Sequence, residues 1–391
     1  MKPLVTKSRN FAPGPTPLLP AAQMAAFSAD LHHRTDEFRR YTRETLEGLQ
    51  YVLDTKSTVV LFSASGTGAM EAAWVNLLSP GDRVLVLTAG KFGERWLNLA
   101  RVYGIEATKI EAPYGQAIPL GQVEKQLSAG KAYRAVFMQA TETSTGVSHD
   151  VEGVAKLVRP HEETCLVVDA ITGVGTMELR PDFWGLDILI GGSQKALMIP
   201  PGLAFAGVSE KAWRLIEKAK LPRYYFDLAR ERDSQAKGEV SFTPPISLVV
   251  ALHQALQYIK ELGRERLIAN AALLGEATRE ASKALGLGLL AETSPANALT
   301  AVCSPSGIDS GKIIKEMNSA FGTVLANGQG ELKGKIIRVA HLGYHDMMDL
   351  LGLIGALELC LNRLGHRVEC GAGVRAAQSV YLRKQGEASG S

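Results

Sequence analysis

The chain has 391 residues, a formal charge of +3, 46% hydrophobic residues and 21% charged residues. Its length exceeds what one hydrophobic core usually organises, so two domains are expected, and its composition excludes a disordered or fibrous protein. Lys and Arg are scattered rather than gathered on one stretch, which argues against nucleic acid as the main partner, and no apolar run is long enough to cross a bilayer.

The opening residues Met1–Asn10 are polar and basic and lead into no secretory h-region. Cys165, Cys303, Cys360 and Cys370 have no metal-ligand spacing, and Cys165 and Cys360 sit in apolar runs. A reduced, cytoplasmic protein without structural disulfides or a metal site is expected. Phe11-Ala-Pro-Gly-Pro-Thr-Pro17 cannot be helical, because its prolines lack donors and restrict their neighbours, so it reads as an extended arm.

Between Ser57 and Ser209, short aliphatic runs alternate with longer helix-patterned segments. Strands are expected at Thr58–Phe62, Arg83–Leu87, Ala107–Glu111, Ala135–Gln139, Cys165–Asp169, Ile188–Gly191 and Ala204–Val208. Most are continuously apolar, as strands covered on both faces are. Helices are expected at Gly68–Leu78, Phe92–Tyr103 and Val151–Leu157. The alternation predicts an α/β layer with a mainly parallel sheet, whose ligands bind beyond the carboxyl ends of the strands. After Pro244-Pro245, a helix over Ile246–Leu262 leads out of this layer. A smaller α+β unit follows, with strands at Ala298–Cys303 and Ile336–Ala340 and a helix at Met347–Leu364. The Gly/Ser-rich tail Lys384–Ser391 is expected to be mobile.

Three segments carry chemistry, each just after a strand. Ser63-Ala-Ser-Gly-Thr-Gly68 opens a helix, where free N–H groups and the dipole favour an anion; equally, it reads as a simple capped turn. It lacks both the P-loop ending and the dinucleotide spacing, so a compact phosphate fits it better. Asp169 ends a buried strand and requires a cationic partner; taken alone it reads as a helix cap or structural ion pair. Lys195, in Leu189-Ile-Gly-Gly-Ser-Gln-Lys-Ala-Leu-Met-Ile-Pro-Pro-Gly202, meets a wholly apolar segment that disfavours the ammonium, as an imine-forming lysine requires. An anion cradle, a carboxylate and a desolvated lysine together are what pyridoxal phosphate needs.

On Gly192-Ser-Gln-Lys-Ala-Leu197 with its following Pro-Pro-Gly, and on matches from Ala12-Pro-Gly-Pro-Thr16 to Arg338-Val-Ala-His-Leu-Gly343, the chain resembles the class V aminotransferases, in their alanine–glyoxylate/serine–pyruvate branch. The resemblance implies the fold-type I architecture of pyridoxal-phosphate transferases. That is a large α/β domain whose mainly parallel seven-stranded sheet lies between helices, and a smaller α+β C-terminal domain. The boundaries expected are an N-terminal arm at 1–20, the large domain at 21–262, the small domain at 263–383 and the tail at 384–391.

It further implies Lys195 as the imine lysine and Asp169 as the pyridine partner. Ser65, Gly66, Thr67 and Gln194 would hold the phosphate. Phe92 would stack on the ring, Ile171 would press on its other face, and Thr143 would lie near the phenolic oxygen. Arg338 would grip the substrate carboxylate, with Gly14 and Arg34 also on the substrate side. Thr243 would reach the phosphate from a second subunit, implying a homodimer with shared sites; Val240 stands where a phosphate-binding Tyr is expected. Glu142 is expected to orient or pair, Arg95 to be a solvated or interface charge, and His341 to be structural.

The reaction implied is amino transfer from alanine or serine to glyoxylate or pyruvate by a ping-pong cycle. Three other readings are open. A phosphoserine aminotransferase is suggested by His33-Arg34, which serves equally as an anchor for the following helix. A lyase or cysteine desulfurase would need a Cys on a mobile loop, whereas Cys303 sits on an apparent strand. A non-catalytic subunit of a hydrogenase-type complex would be expected to have lost Lys195 or Asp169.

Overall fold

The computed structural model describes residues 6–130 and 132–389. A seven-stranded sheet forms its larger layer: β1 (Thr58–Phe62), β2 (Arg83–Thr88), β3 (Glu106–Glu111), β4 (Ala135–Gln139), β5 (Cys165–Asp169), β6 (Ile188–Gly192) and β7 (Ala204–Val208). Their spatial order is β1-β7-β6-β5-β4-β2-β3. The pairs β3/β2, β2/β4, β4/β5 and β5/β6 are parallel, while β7 runs antiparallel between β6 and β1. Every strand expected from the aliphatic runs is present, with ends moved by no more than one residue.

Alternation along the strands sends successive side chains to opposite faces, and both faces are buried. Val136, Met138, Leu166, Val168 and Leu189 enter one apolar layer with helix α1 (Asp36–Leu53). Phe137, Val167, Ile188 and Ile190 enter the other, against α2 (Gly66–Leu77) and α3 (Lys91–Tyr103), which contribute Trp74 and Trp96. Each aliphatic chain buried in this way stabilises the fold by about 1.5–3 kcal/mol. The parallel strands all end at one edge, and there the polar residues Asp169 and Gln139 stand in register on neighbouring strands.

Helix α4 (Ile246–Leu262) packs against α1 and is separated by Gly263 from α5 (Arg264–Ala284), which enters the smaller unit. That unit holds the antiparallel strands β8 (Leu299–Cys303), β9 (Ala326–Asn327) and β10 (Ile336–Ala340), covered by α5, α6 (Met347–Arg363) and α7 (Ala372–Ser389). A mobile tail is expected from residue 384; instead the helix runs on to Ser389, and residues 390 and 391 lie outside the described part.

The N-terminal arm is extended, and it ties the two units together. Arg9–Asn10 pairs in parallel with Thr323–Val324, and Phe11 is buried in the core of the smaller unit. A few residues on, Thr16 donates its amide to the carbonyl of Gln194 and its hydroxyl to that of Lys195. No helix among the described residues is long and apolar enough to cross a membrane.

Candidate active site

Beyond the carboxyl ends of β1, β2, β4, β5 and β6, one pocket is lined by Ser65, Gly66, Thr67, Phe92, Thr143, Asp169, Ile171, Gln194 and Lys195. Sequence positions 130 residues apart thus meet because each follows a strand of the same sheet. Arg95, Thr141 and Thr172 complete the lining. Arg95, expected as a solvated or interface charge, is half-buried in the pocket wall and so is not fully solvated.

Ser65 is the N-cap residue of α2, yet its hydroxyl makes no bond to the helix's own amides. The cap hydroxyl and the first helical N–H groups therefore face the pocket as donors. A Cβ on Gly66 would lie 2.3 Å from Ile171 Cδ1, so only glycine lets this backbone lie against Ile171.

Asp169 is buried, and its Oδ1 accepts the Ile171 amide at 3.0 Å. Burial pushes its carboxyl up to about 6, while that amide, Arg95 and Lys195 oppose the shift. Lys195 Nζ donates to the carbonyl of Pro13 in the arm. Burial pushes this amine down to about 8, against the opposing pull of Asp169. The environment penalises both ionised forms and leaves each side chain able to change protonation near neutrality.

Arg338, on β10 of the smaller unit, is buried and meets the pocket lining at Thr143. Its Nε donates to the Asn327 carbonyl at 2.9 Å and its Nη1 to that of Thr143 at 3.1 Å. The Thr143 hydroxyl pairs with that of Thr172 at 2.9 Å. Gly14, at φ +130°, lies directly on Lys195. Glu142 orients rather than pairs: its buried carboxylate accepts the amides of Phe92, Gly93 and Ser144. His341 is buried against the Asn297 carbonyl, away from the pocket.

Four expected site residues do not line this pocket: Gly14 and Arg338 meet it only through Lys195 and Thr143, and Arg34 and Thr243 stand apart from it. Arg34 is exposed beside the start of α1, and Thr243 is exposed on the segment before α4. Cys303 stands half-buried at the end of β8 and does not line the pocket. Among the described residues there is no group of three or more side chains suited to hold a metal ion.

The donor set fits pyridoxal phosphate. Gln194 has a buried side-chain oxygen with no partner, and an amide flip would present its nitrogen as a donor. The helix terminus with Ser65 and Thr67 suits a phosphate, and the Asp169 carboxylate suits a protonated ring nitrogen.

Residues 21–329 match the family model "Aminotransferase class-V". A protein named as the soluble hydrogenase 42 kDa subunit of Anabaena cylindrica is 42% identical over 94% of this chain and 97% of its own. An L-aspartate–glyoxylate aminotransferase of Paracoccus denitrificans is 35% identical over 95% of each chain. The crystal structure of pyridoxamine–pyruvate aminotransferase from Mesorhizobium loti superposes with a TM-score of 0.92 at 27% identity, covering 97% of this chain and 98% of that one. The chain belongs to the class V aminotransferases and is an enzyme that transfers amino groups.

Proposed function

We propose that this enzyme uses pyridoxal phosphate to move an amino group from a small amino acid, alanine or serine, to glyoxylate or pyruvate in a ping-pong cycle. The observation that carries this reading is Lys195 and Asp169 in one buried pocket beside the open helix terminus at Ser65–Thr67. Bound there, the cofactor supplies an electron sink for the pair left behind when the substrate loses its α-proton.

The chain's own residues do the rest. Asp169 would stabilise a protonated ring nitrogen. Phe92 and Ile171 would hold the ring between them, with Thr143 near its phenolic oxygen. Ser65, Gly66, Thr67 and Gln194 would hold the phosphate. Arg338 offers a fork to the substrate carboxylate, with Gly14 leaving room beside it. Lys195, with its lowered pKa, takes the proton from the substrate Cα as a general base and returns it as an acid.

A small neutral donor is favoured because, among the described residues lining the pocket, the cations are Lys195 and Arg95 alone. With Arg338 assigned to the α-carboxylate and Arg95 bonded to Thr67 beside the phosphate cradle, no other cation among the described lining residues faces a donor's second carboxylate or phosphate. The acceptors named for the Paracoccus and Mesorhizobium relatives are glyoxylate and pyruvate, which agrees with a small keto acid. The hydrogenase name of the Anabaena relative suggests a non-catalytic role; Lys195 and Asp169, which such a role would not need, are both in place.

A cytoplasmic homodimer completes the reading. Phe242, next to Thr243, groups with the exposed Tyr224 and Tyr225 and with Arg230, and the Tyr225 hydroxyl reaches the Ser63 carbonyl next to the phosphate cradle. Such an aromatic patch beside the site suits a subunit interface. Thr243 of the partner subunit, with Arg34 of the partner subunit, would then close a pocket that each chain leaves open.

The test is a spectrum of the enzyme loaded with pyridoxal phosphate, followed on addition of L-alanine, L-serine, L-aspartate or L-phosphoserine. Loss of the visible band with alanine or serine, with release of the keto acid, is expected, and sedimentation is expected to show a dimer. A protein that forms no visible band overturns the cofactor assignment. A preference for phosphoserine or aspartate overturns the donor assignment and leaves the cofactor in place.

A further inference from the structure

Arg95 has no role in the machinery assigned above, yet it stands in the pocket wall. It rises from the second turn of α3 and reaches across to the first turn of α2, where Nη1 donates to Thr67 Oγ1 at 2.6 Å. Its guanidinium carbon lies 4.8 Å from the centroid of the Phe92 ring, within cation–π range. Neither contact is a carboxylate, so the charge is not spent on an ion pair there.

Two consequences follow from elementary chemistry. A guanidinium only donates, so the Thr67 hydroxyl must act as the acceptor in this bond, and its own proton is turned elsewhere. Beside Ser65 and the helix terminus, that proton is available to an anion. The second consequence concerns charge. Of the two cations lining the pocket, Lys195 is bonded to the arm, and both it and Arg95 favour the Asp169 carboxylate. Arg95 is the one on the Thr67 side, where a phosphate dianion would otherwise meet only neutral donors and a helix dipole.

We propose that Arg95 is a positioning residue for the cofactor phosphate. It acts through Thr67, fixing that hydroxyl as a donor and supplying the positive charge behind the cradle, while its stacking on Phe92 holds the ring clamp and the cradle in one arrangement. This rests on the pyridoxal-phosphate reading of the site.

The experiment compares two ligands that differ only in the phosphate. Pyridoxal phosphate and pyridoxal are each titrated into the wild-type apoenzyme and into Arg95→Gln, Arg95→Lys, Thr67→Ala and the Arg95→Gln/Thr67→Ala double variant, with affinity read from the visible band and from tryptophan fluorescence. Arg95→Gln is expected to lose roughly 10- to 100-fold in affinity for pyridoxal phosphate, the size of a lost charge-assisted hydrogen bond, and to keep its affinity for pyridoxal. Arg95→Lys should fall between, retaining charge without the fork. Because part of the effect of Arg95 runs through Thr67, the double variant should lose less than the two single changes combined. Inorganic phosphate should compete with pyridoxal phosphate for the wild type and do so several-fold less well for Arg95→Gln.

An equal loss for both ligands in Arg95→Gln would mean a general packing role and overturn the proposal, as would no loss at all. Fully additive losses in the double variant would overturn the route through Thr67. Should the wild type give no visible band with either ligand, the cofactor reading itself fails and this inference falls with it, a result distinct from a wild type that binds both while Arg95→Gln keeps the phosphate preference.

Discussion

The Glu142 carboxylate accepts the backbone amide of Phe92 at 3.2 Å, and through it the hairpin bearing Thr143 is locked to the helix bearing the aromatic ring. The same carboxylate takes the Gly93 amide at 3.0 Å, so it caps the N-terminus of α3, where the helix dipole favours negative charge. The next residue, Thr143, offers its carbonyl to Arg338 of the smaller unit. One short hairpin therefore sets the mutual positions of Phe92 and Arg338, the proposed ring clamp and carboxylate grip. Glu142→Ala should leave buried amides without acceptors and lower stability by about 1–3 kcal/mol. Glu142→Gln, which keeps one acceptor oxygen, should lose less. Denaturant melts of the two variants beside wild type measure this, and equal melts for all three would show the cap to be idle.

Gly14 and Lys195 make a second fixed pair. A Cβ at Gly14 would lie 2.2 Å from Lys195 Nζ, and φ of +130° is a conformation that L side chains rarely adopt. Gly14→Ala should cost at least ~1 kcal/mol in the arm and push the amine out of place. Cofactor loading, followed as growth of the visible band, should slow markedly, while Gly307→Ala, at a positive φ in open space, should leave loading unchanged.

The pH dependence of loading follows from the lysine. An amine attacks a carbonyl only when neutral, and burial brings Lys195 down to about 8 from its ordinary 10.5. The loading rate should therefore rise with pH through about 8 and level off above it, rather than keep rising past pH 10. Asp169, pushed up to about 6, adds a lower limit: below that pH it is neutral and no longer stabilises a cationic ring nitrogen. Asp169→Asn should reduce turnover by roughly 100-fold or more, the scale seen when a preorganised charge is removed from a reacting centre. Stopped-flow loading and steady-state rates across pH 5–10 would show both limbs; a loading rate flat in pH would contradict the lysine assignment.

Three buried histidines predict acid lability away from the site. Burial depresses His341 to about 3 and both His149 and His345 to about 4, from an ordinary 6.5. Each is held neutral in the fold and takes up a proton in the unfolded chain below 6.5. The stability they contribute is thus complete above pH 6.5 and is lost as pH falls towards 4. Melting temperatures measured from pH 8 down to pH 4.5 should drop below 6.5, and less steeply in His345→Phe, whose ring can keep the stacking on Phe11.

The sequence by itself determined the sheet and the chemical triad within it. Seven aliphatic runs became seven strands because continuous apolarity over about five residues has one low-energy outcome between two helical layers. Ser65, Asp169 and Lys195 were recognisable because each breaks an apolar pattern directly after such a run. Orientation was another matter: nothing in Ala204–Val208 distinguishes it from its parallel neighbours, and only the assembled sheet makes it antiparallel. The sequence allows Arg95 only as a solvated or interface charge, because a helix pattern reports which face is apolar, not that Thr67 lies 2.6 Å away on a second helix. Likewise, the proline-rich arm was legible as extended, but its destination was not. The contacts of Phe11 in the smaller core and of Gly14 on Lys195 join residues far apart in the chain, and such non-local pairings are set by tertiary packing rather than by local pattern.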